Sequence, residues 1–310
     1  MPCVGFLTDY GLDDAFVAVC HGVLLRTAPL VRIVDITHLV PPGDVRRGSV
    51  VLADAVGYLP PGSVHLAVVD PGVGTARRPV ALATPGGALV GPDNGLLAPA
   101  ADRLGGVTGA VELPVPPGTP ATFHGRDVFA PAVGALVSGT RLEALGAAID
   151  PVTLIRLPAP LAEVVTIGPE GRDHGPAPAG GPGGSRSDLT GVRDGLAPGS
   201  PGPRPEADGG RALEAEVVSV DHFGNVALAA GPDLLAAAGL RIGGRATVGR
   251  PGDEGITVAV GATFGSVPVG EVVLYIDSAG RVALAVNRGN AAERLSLAPG
   301  AIVRAAPVPE

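Results

Sequence analysis

Ala67-Val68-Val69-Asp70-Pro71-Gly72-Val73-Gly74-Thr75-Ala76-Arg77-Arg78 is the stretch on which the fold turns. The apolar run Val64 to Val69 reads as a buried strand and runs straight into an acid. A Pro-Gly-Val-Gly turn follows, then two arginines, and the apolar run Pro79 to Ala83 resumes the sheet. A carboxylate at the C-terminal end of a parallel strand, beside a glycine-lined loop, is where open α/β sheets place their chemistry. The same residues also suit a plain connection in which Asp70 caps the turn and the arginines are solvated. The stretch by itself leaves both readings open.

The surrounding chain supplies the sheet. Val4 to Thr8 reads as a strand, Asp9-Tyr10-Gly11-Leu12-Asp13-Asp14 as an acidic turn, and Ala15 to Arg26 as a helix with Phe16, Val19 and Val23 on one side. Val31 to Ile36 is a second strand, ending on Thr37-His38, and Pro41-Pro42-Gly43-Asp44 caps a helix over Val45 to Tyr58. Val80 to Thr84 and Ala88 to Val90 continue the strands, and Leu96 to Arg103 reads as a helix. Thr122-Phe123-His124-Gly125-Arg126-Asp127 then leads into a helix over about Phe129 to Val137. This alternation predicts an α/β N-terminal domain with a central, mainly parallel sheet over residues 1–160. Residues 168–210 are rich in Gly, Pro and Ser without periodicity and read as a disordered linker or insertion, so His174 within them carries no expected catalytic role. From Leu213 short strands recur between turn residues, predicting a smaller all-β barrel over 213–310.

At 310 residues with a net charge of −8 and no basic stripe, the chain offers nothing for nucleic acid. No apolar run reaches membrane-span length and the start has no signal-like region, so a cytoplasmic protein with no membrane partner is expected. Cys3 and Cys20 sit in apolar runs and read as core residues. Every basic residue is Arg, which excludes Schiff-base chemistry. A G-x-S-x-G elbow and a G-x-G-x-x-G fingerprint after the first strand are both absent, and so are H-x-x-x-H and H-x-D spacings; no metal and no cofactor are expected. What remains is an acidic first turn suited to vicinal hydroxyls or a cation, and Asp70, Arg77 and His124 as a charged set able to orient a water if the sheet joins their loops.

Taken together, Leu7 to Gly11, Pro41 to Val45, Val69 to Thr75 with Arg77-Arg78, Gly91-Pro92-Asp93-Asn94-Gly95-Leu96-Leu97, Thr122 to Asp127, Asp221-His222-Phe223-Gly224-Asn225 and Asn287 to Ala292 resemble a known family. It is the S-adenosyl-L-methionine (SAM) hydroxide adenosyltransferases, adenosine-forming SAM hydrolases related to the fluorinating and chlorinating enzymes. The stretches occur in family order and omit only the Gly/Pro-rich segment. The resemblance implies a homotrimer with sites between subunits, and water attacking C5′ of SAM to expel methionine. It assigns Asp70, Arg77 and His124 to the water, Asp9 to the ribose diol, and Asp14 and Asp221 to the methionine amine. Ser278 would meet the methionine carboxylate, and Phe223 and Asn225 the adenine. A halogenase is the alternative within the superfamily, but the fluorinating relatives carry a serine at Gly125 and a tryptophan at Gly43, and the loop Asp70 to Thr75 departs from their pattern. A non-catalytic SAM or adenosine-binding module is the other alternative, and it has no use for an intact Asp-Arg-His set. Asp277, where an asparagine is usual, and Arg288, where a small residue is usual, depart from the hydrolase pattern.

Overall fold

The computed structural model describes residues 2–168 and 210–309 and divides into two units, Met1–Ala159 and Pro160–Glu310. Of the stretch expected to be disordered, residues 169–209 lie outside the described residues.

The first unit runs β1 (Cys3–Thr8), α1 (Phe16–Thr27), β2 (Arg32–Thr37), α2 (Val45–Val56), β3 (Ser63–Val68), β4 (Pro79–Thr84), β5 (Gly87–Pro92), α3 (Ala98–Arg103), β6 (Gly109–Glu112), α4 (Ala130–Val137) and β7 (Ala147–Ala148). They form one sheet of order β2-β1-β3-β5-β4-β6-β7. The neighbours β2, β1, β3 and β5 are parallel, while β4 and β7 run against the rest. Alternation sends side chains to two cores. Val4, Phe6, Leu66 and Val68 meet α1 and α4, while Leu7, Ala67 and Val69 meet α2 and α3. Burial on both faces explains why β1 and β3 read as continuous apolar runs. Cys3 and Cys20 are buried free thiols, and the Asp44 carboxylate caps α2 by accepting from the Arg47 N–H at 2.9 Å.

The second unit runs β8 (Ala162–Ile167), β9 (Gly210–Val220), β10 (Val226–Leu228), α5 (Pro232–Ala237), β11 (Arg245–Gly249), β12 (Ile256–Val260), β13 (Val272–Ile276), β14 (Val282–Val286), α6 (Ala291–Arg294) and β15 (Ile302–Pro307). Seven of these strands close a barrel in the order β10-β14-β13-β12-β11-β15-β9. The long β9 pairs with β15 through its first half and with β10 through its second. Leu213, Ala215, Val217, Leu274, Leu284 and Val303 fill its interior. β8 adds to β9 from outside the ring, so this unit draws on chain before the Gly/Pro-rich stretch as well as from 213 onward. Arg288 holds a left-handed φ of 58°, the conformation that favours a small residue there.

Arg78 is not simply solvated, as a plain connection would leave it. Its Nε donates to Asp93 Oδ2 at 2.9 Å and its Nη1 and Nη2 to Thr153 Oγ1 and O, while Asp93 Oδ1 accepts from the Ile155 N–H. The Asp93 side chain is only 3% exposed. Arg78 therefore staples the 153–155 segment to the sheet through a buried carboxylate. Arg78→Ala is expected to lower unfolding free energy by about 3 kcal/mol in urea titration, because it leaves that charge buried and unpaired.

Candidate active site

β1 and β3 are parallel neighbours whose last residues, Thr8 and Val68, lie in register. The chain leaves β1 towards β2 on one side and leaves β3 towards β4 and β5 on the other. The loops beyond them meet where the strand order reverses, the crevice in which such sheets bind ligands. Asp9 follows one strand and Asp70 the other. Both line an open cleft of about 260 Å³, together with Tyr10, Gly43, Pro71, Val73, Phe123, His124 and Gly125.

Arg77 joins the loops. Its Nε donates to Asp70 Oδ1 at 3.0 Å, its Nη2 meets Asp70 Oδ2, and the same Nη2 lies 3.3 Å from His124 Nδ1. The Asp70 and Arg77 side chains are 6% and 7% exposed, and the guanidinium lies 5.3 Å from the Phe129 ring centroid. Arg77 Nη1 is buried without a hydrogen-bond partner among the described residues. Burial pushes the Asp70 carboxyl above its ordinary range, opposed by Arg77, His124 and the Gly72 N–H. Burial and then the Arg77 charge lower the His124 imidazole below its ordinary range. His124 is thus neutral at pH 7 and can accept a proton, while the guanidinium makes a carboxylate tenable at Asp70.

Local structure holds this set in place. Thr75 Oγ1 donates to Gly72 O at 2.7 Å and accepts from the Arg77 N–H at 3.3 Å, folding the loop back so that Arg77 meets Asp70. His124 precedes a single π-helical turn, Gly125–Phe129, closed by the Ala130 N–H on Gly125 O. Such turns recur at functional sites. Asp9 Oδ2 accepts from the Gly43 N–H at 2.8 Å. Tyr10 packs edge-to-face on Phe123, and Phe16 does the same. Burial, then Cys20, Asp9 and Asp70, raise the Tyr10 phenol, so it stays protonated. A Cβ at Gly125 would stand 2.1 Å from the Tyr10 hydroxyl, which explains a glycine there. Tyr10, Phe123 and Gly43 were not among the expected site residues. Only their presence inside the motif stretches hinted at them.

The other expected residues are placed differently. Asp14 is exposed just before α1 and lies outside the cleft lining. In the second unit, Asp221 Oδ1 accepts from the N–H groups of Phe223 and Asn225, and its Oδ2 from Asn225 Nδ2 at 2.8 Å. The carboxylate thereby shapes a tight turn that leaves Phe223 74% exposed. Ser278 is exposed in a similar turn, where Asp277 Oδ1 accepts from the N–H groups of Ala279 and Arg281. An asparagine could accept both bonds, so Asp277 adds charge without changing the turn.

Residues 4–146 match the SAM hydroxide adenosyltransferase N-terminal domain, and residues 215–304 match the C-terminal domain. The chain belongs to the SAM hydroxide adenosyltransferase family. Family relatives include an (R)-S-adenosyl-L-methionine hydrolase of Salinispora tropica, 48% identical across 96% of this chain and 95% of its own length. A protein of the same name from Thermus thermophilus is 40% identical across 98% and 99%. A fluorinase of Actinopolyspora mzabensis is 26% identical across 98% and 96%. Among solved structures, an uncharacterized conserved protein from Thermotoga maritima aligns with a TM-score of 0.77 at 31% identity, over 97% of this chain and 99% of that one.

Gly74 has a φ of 76°, and a Cβ there would lie 2.8 Å from Ala121 O, on the segment that carries His124. At Gly72 a Cβ would meet only ordinary contacts of 3.5 Å. Gly74→Ala is expected to cost about 2 kcal/mol in urea unfolding, and Gly72→Ala well under about 1 kcal/mol.

Proposed function

We propose that this chain hydrolyses S-adenosyl-L-methionine to adenosine and L-methionine. Water attacks C5′ in line with the C5′–S bond, which breaks and leaves its electron pair on the methionine sulfur. The water oxygen becomes the 5′-hydroxyl, and one of its protons passes to the neutral His124 imidazole. The leaving group departs from a sulfonium as a neutral thioether, so it needs neither protonation nor a Lewis acid. Catalysis then rests on positioning and desolvating the water. Asp70, Arg77 and His124 are the residues proposed to do so. The supporting observation is the buried Arg77 guanidinium bridging Asp70 and His124, both of which line the cleft.

In this reading Asp9 binds the ribose diol, Phe223 and Asn225 contact adenine, Asp14 and Asp221 serve the methionine amine, and Ser278 serves its carboxylate. The site completes itself between subunits of a homotrimer. Asp221 contributes partly by holding the turn that presents Phe223 and Asn225. A serine at Gly125, as in the fluorinating relatives, would require the Tyr10 hydroxyl to move, and the glycine kept here supports water over halide.

Purified protein incubated with SAM is expected to yield adenosine and methionine by chromatography, at an undiminished rate in chelator. A 5′-halogenated adenosine formed with chloride, or tight SAM binding with no product, would overturn the assignment. Asp70→Ala is expected to lower kcat at least about 100-fold while adenosine affinity in calorimetry stays within a few-fold, because Asp70 is assigned to the water rather than the nucleoside.

The lowered His124 value gives the pH dependence its sign. Activity needs the unprotonated imidazole, so kcat/KM should hold level from neutral pH downward and fall only below about pH 6.5, the ordinary imidazole value. An acid limb centred above pH 7 would contradict the role of His124.

A further inference from the structure

His21 on α1, Asp35 on β2 and His38 just past β2 converge although no short spacing links all three. One ligand atom from each, His21 Nε2, an Asp35 carboxylate oxygen and His38 Nε2, lies within 4.8 Å of the other two. Asp35 Oδ1 is 2.8 Å from His21 Nε2 and 3.1 Å from His38 Nε2. None of the three lines the cleft described above.

We propose that His21, Asp35 and His38 form a binding site for a divalent first-row transition ion, Zn²⁺ by its chemistry. The proposal goes beyond the hydrolytic reading and does not rest on it. His38 is 4% exposed, and its Nε2 is buried without a hydrogen bond among the described residues, despite standing 3.1 Å from a carboxylate oxygen. A proton on that nitrogen is poorly aimed at Asp35, whereas a lone pair there can serve an ion shared with Asp35 and His21. The other ring nitrogen supports this tautomer. His38 Nδ1 is 2.9 Å from Thr8 Oγ1, so an Nδ1–H can donate to that hydroxyl and free Nε2 for a metal. Metal-binding histidines are held in this way. Both rings pack on Phe6, at centroid distances of 5.6 and 4.7 Å, which fixes their orientation.

Two imidazoles and one carboxylate suit Zn²⁺, Co²⁺ or Ni²⁺ rather than Ca²⁺ or Mg²⁺. Tetrahedral Zn²⁺ with bonds near 2.0 Å sets its ligand atoms about 3.3 Å apart, close to the 2.8 and 3.1 Å that separate the two imidazoles from Asp35 Oδ1. His21 and Asp35 are 28% and 45% exposed, giving the ion an entry path and a water for its fourth position. The ion would tie α1 to the end of β2. The Asp9-bearing turn is held without the ion, since His38 O accepts from the Gly11 N–H at 2.8 Å and Thr8 Oγ1 accepts from the Tyr10 N–H.

The test is titration of the metal-stripped, untagged full chain with Co²⁺, read by visible absorption, and with Zn²⁺, read by thermal midpoint. One equivalent of Co²⁺ is expected to give saturable tetrahedral absorption, and Zn²⁺ to raise the midpoint. His21→Ala and Asp35→Asn, both at partly exposed positions, should keep the circular dichroism spectrum, weaken Co²⁺ at least about tenfold and abolish the Zn²⁺ shift. Absence of the absorption in the wild type, or Co²⁺ affinity unchanged in both variants, would overturn the proposal.

Discussion

The guanidinium of Arg77 is the constraint to which the candidate site is built. It is almost fully buried, shares two nitrogens with Asp70 and reaches His124 with one of them. An ion pair withdrawn from water is tenable only when its geometry is good and its remaining polar atoms are used. Three local devices meet that demand: the Thr75 hydroxyl that closes the loop, the positive φ of Gly74 against Ala121, and the π-turn that sets His124 opposite. One donor, Nη1, has no hydrogen-bond partner among the described residues.

The sheet decides where that device stands. β1 and β3 are adjacent, parallel and in register, so the residues that follow them are neighbours whatever their distance in the chain. Asp9 and Asp70 gain a common cleft for that reason; Tyr10 and Phe123 line it, and Phe16 packs on both rings. The second unit uses acids in another way. Asp221 and Asp277 each spend a carboxylate on backbone N–H groups, so their turns keep a fixed shape while Phe223 and Ser278 stay exposed.

Much of this was legible in the chain. Strands buried on both faces announce themselves as apolar runs, and β1 and β3 fall within one residue of their expected limits. Asp44 was readable as a cap because capping depends on a few adjacent residues. β8 is not among the expected strands because Glu163 and Thr166 interrupt its apolar run, and pairing with β9 is what makes it a strand. Arg78 was misread because its partners, Asp93 and Thr153, are distant in the chain. The His21, Asp35 and His38 cluster was invisible for the same reason: a helix and a strand bring together residues that share no motif.

By itself, the sequence determined the two classes of domain, the family, and the candidate set Asp9, Asp70, Arg77 and His124, because these depend on local periodicity and on contiguous motifs. Tertiary structure alone decided which of two neighbouring arginines joins Asp70 to His124 and which staples the sheet. It also decided that His124 is neutral and that Asp221 holds a turn. Each of those outcomes depends on burial and on partners far along the chain, which only the packed fold supplies.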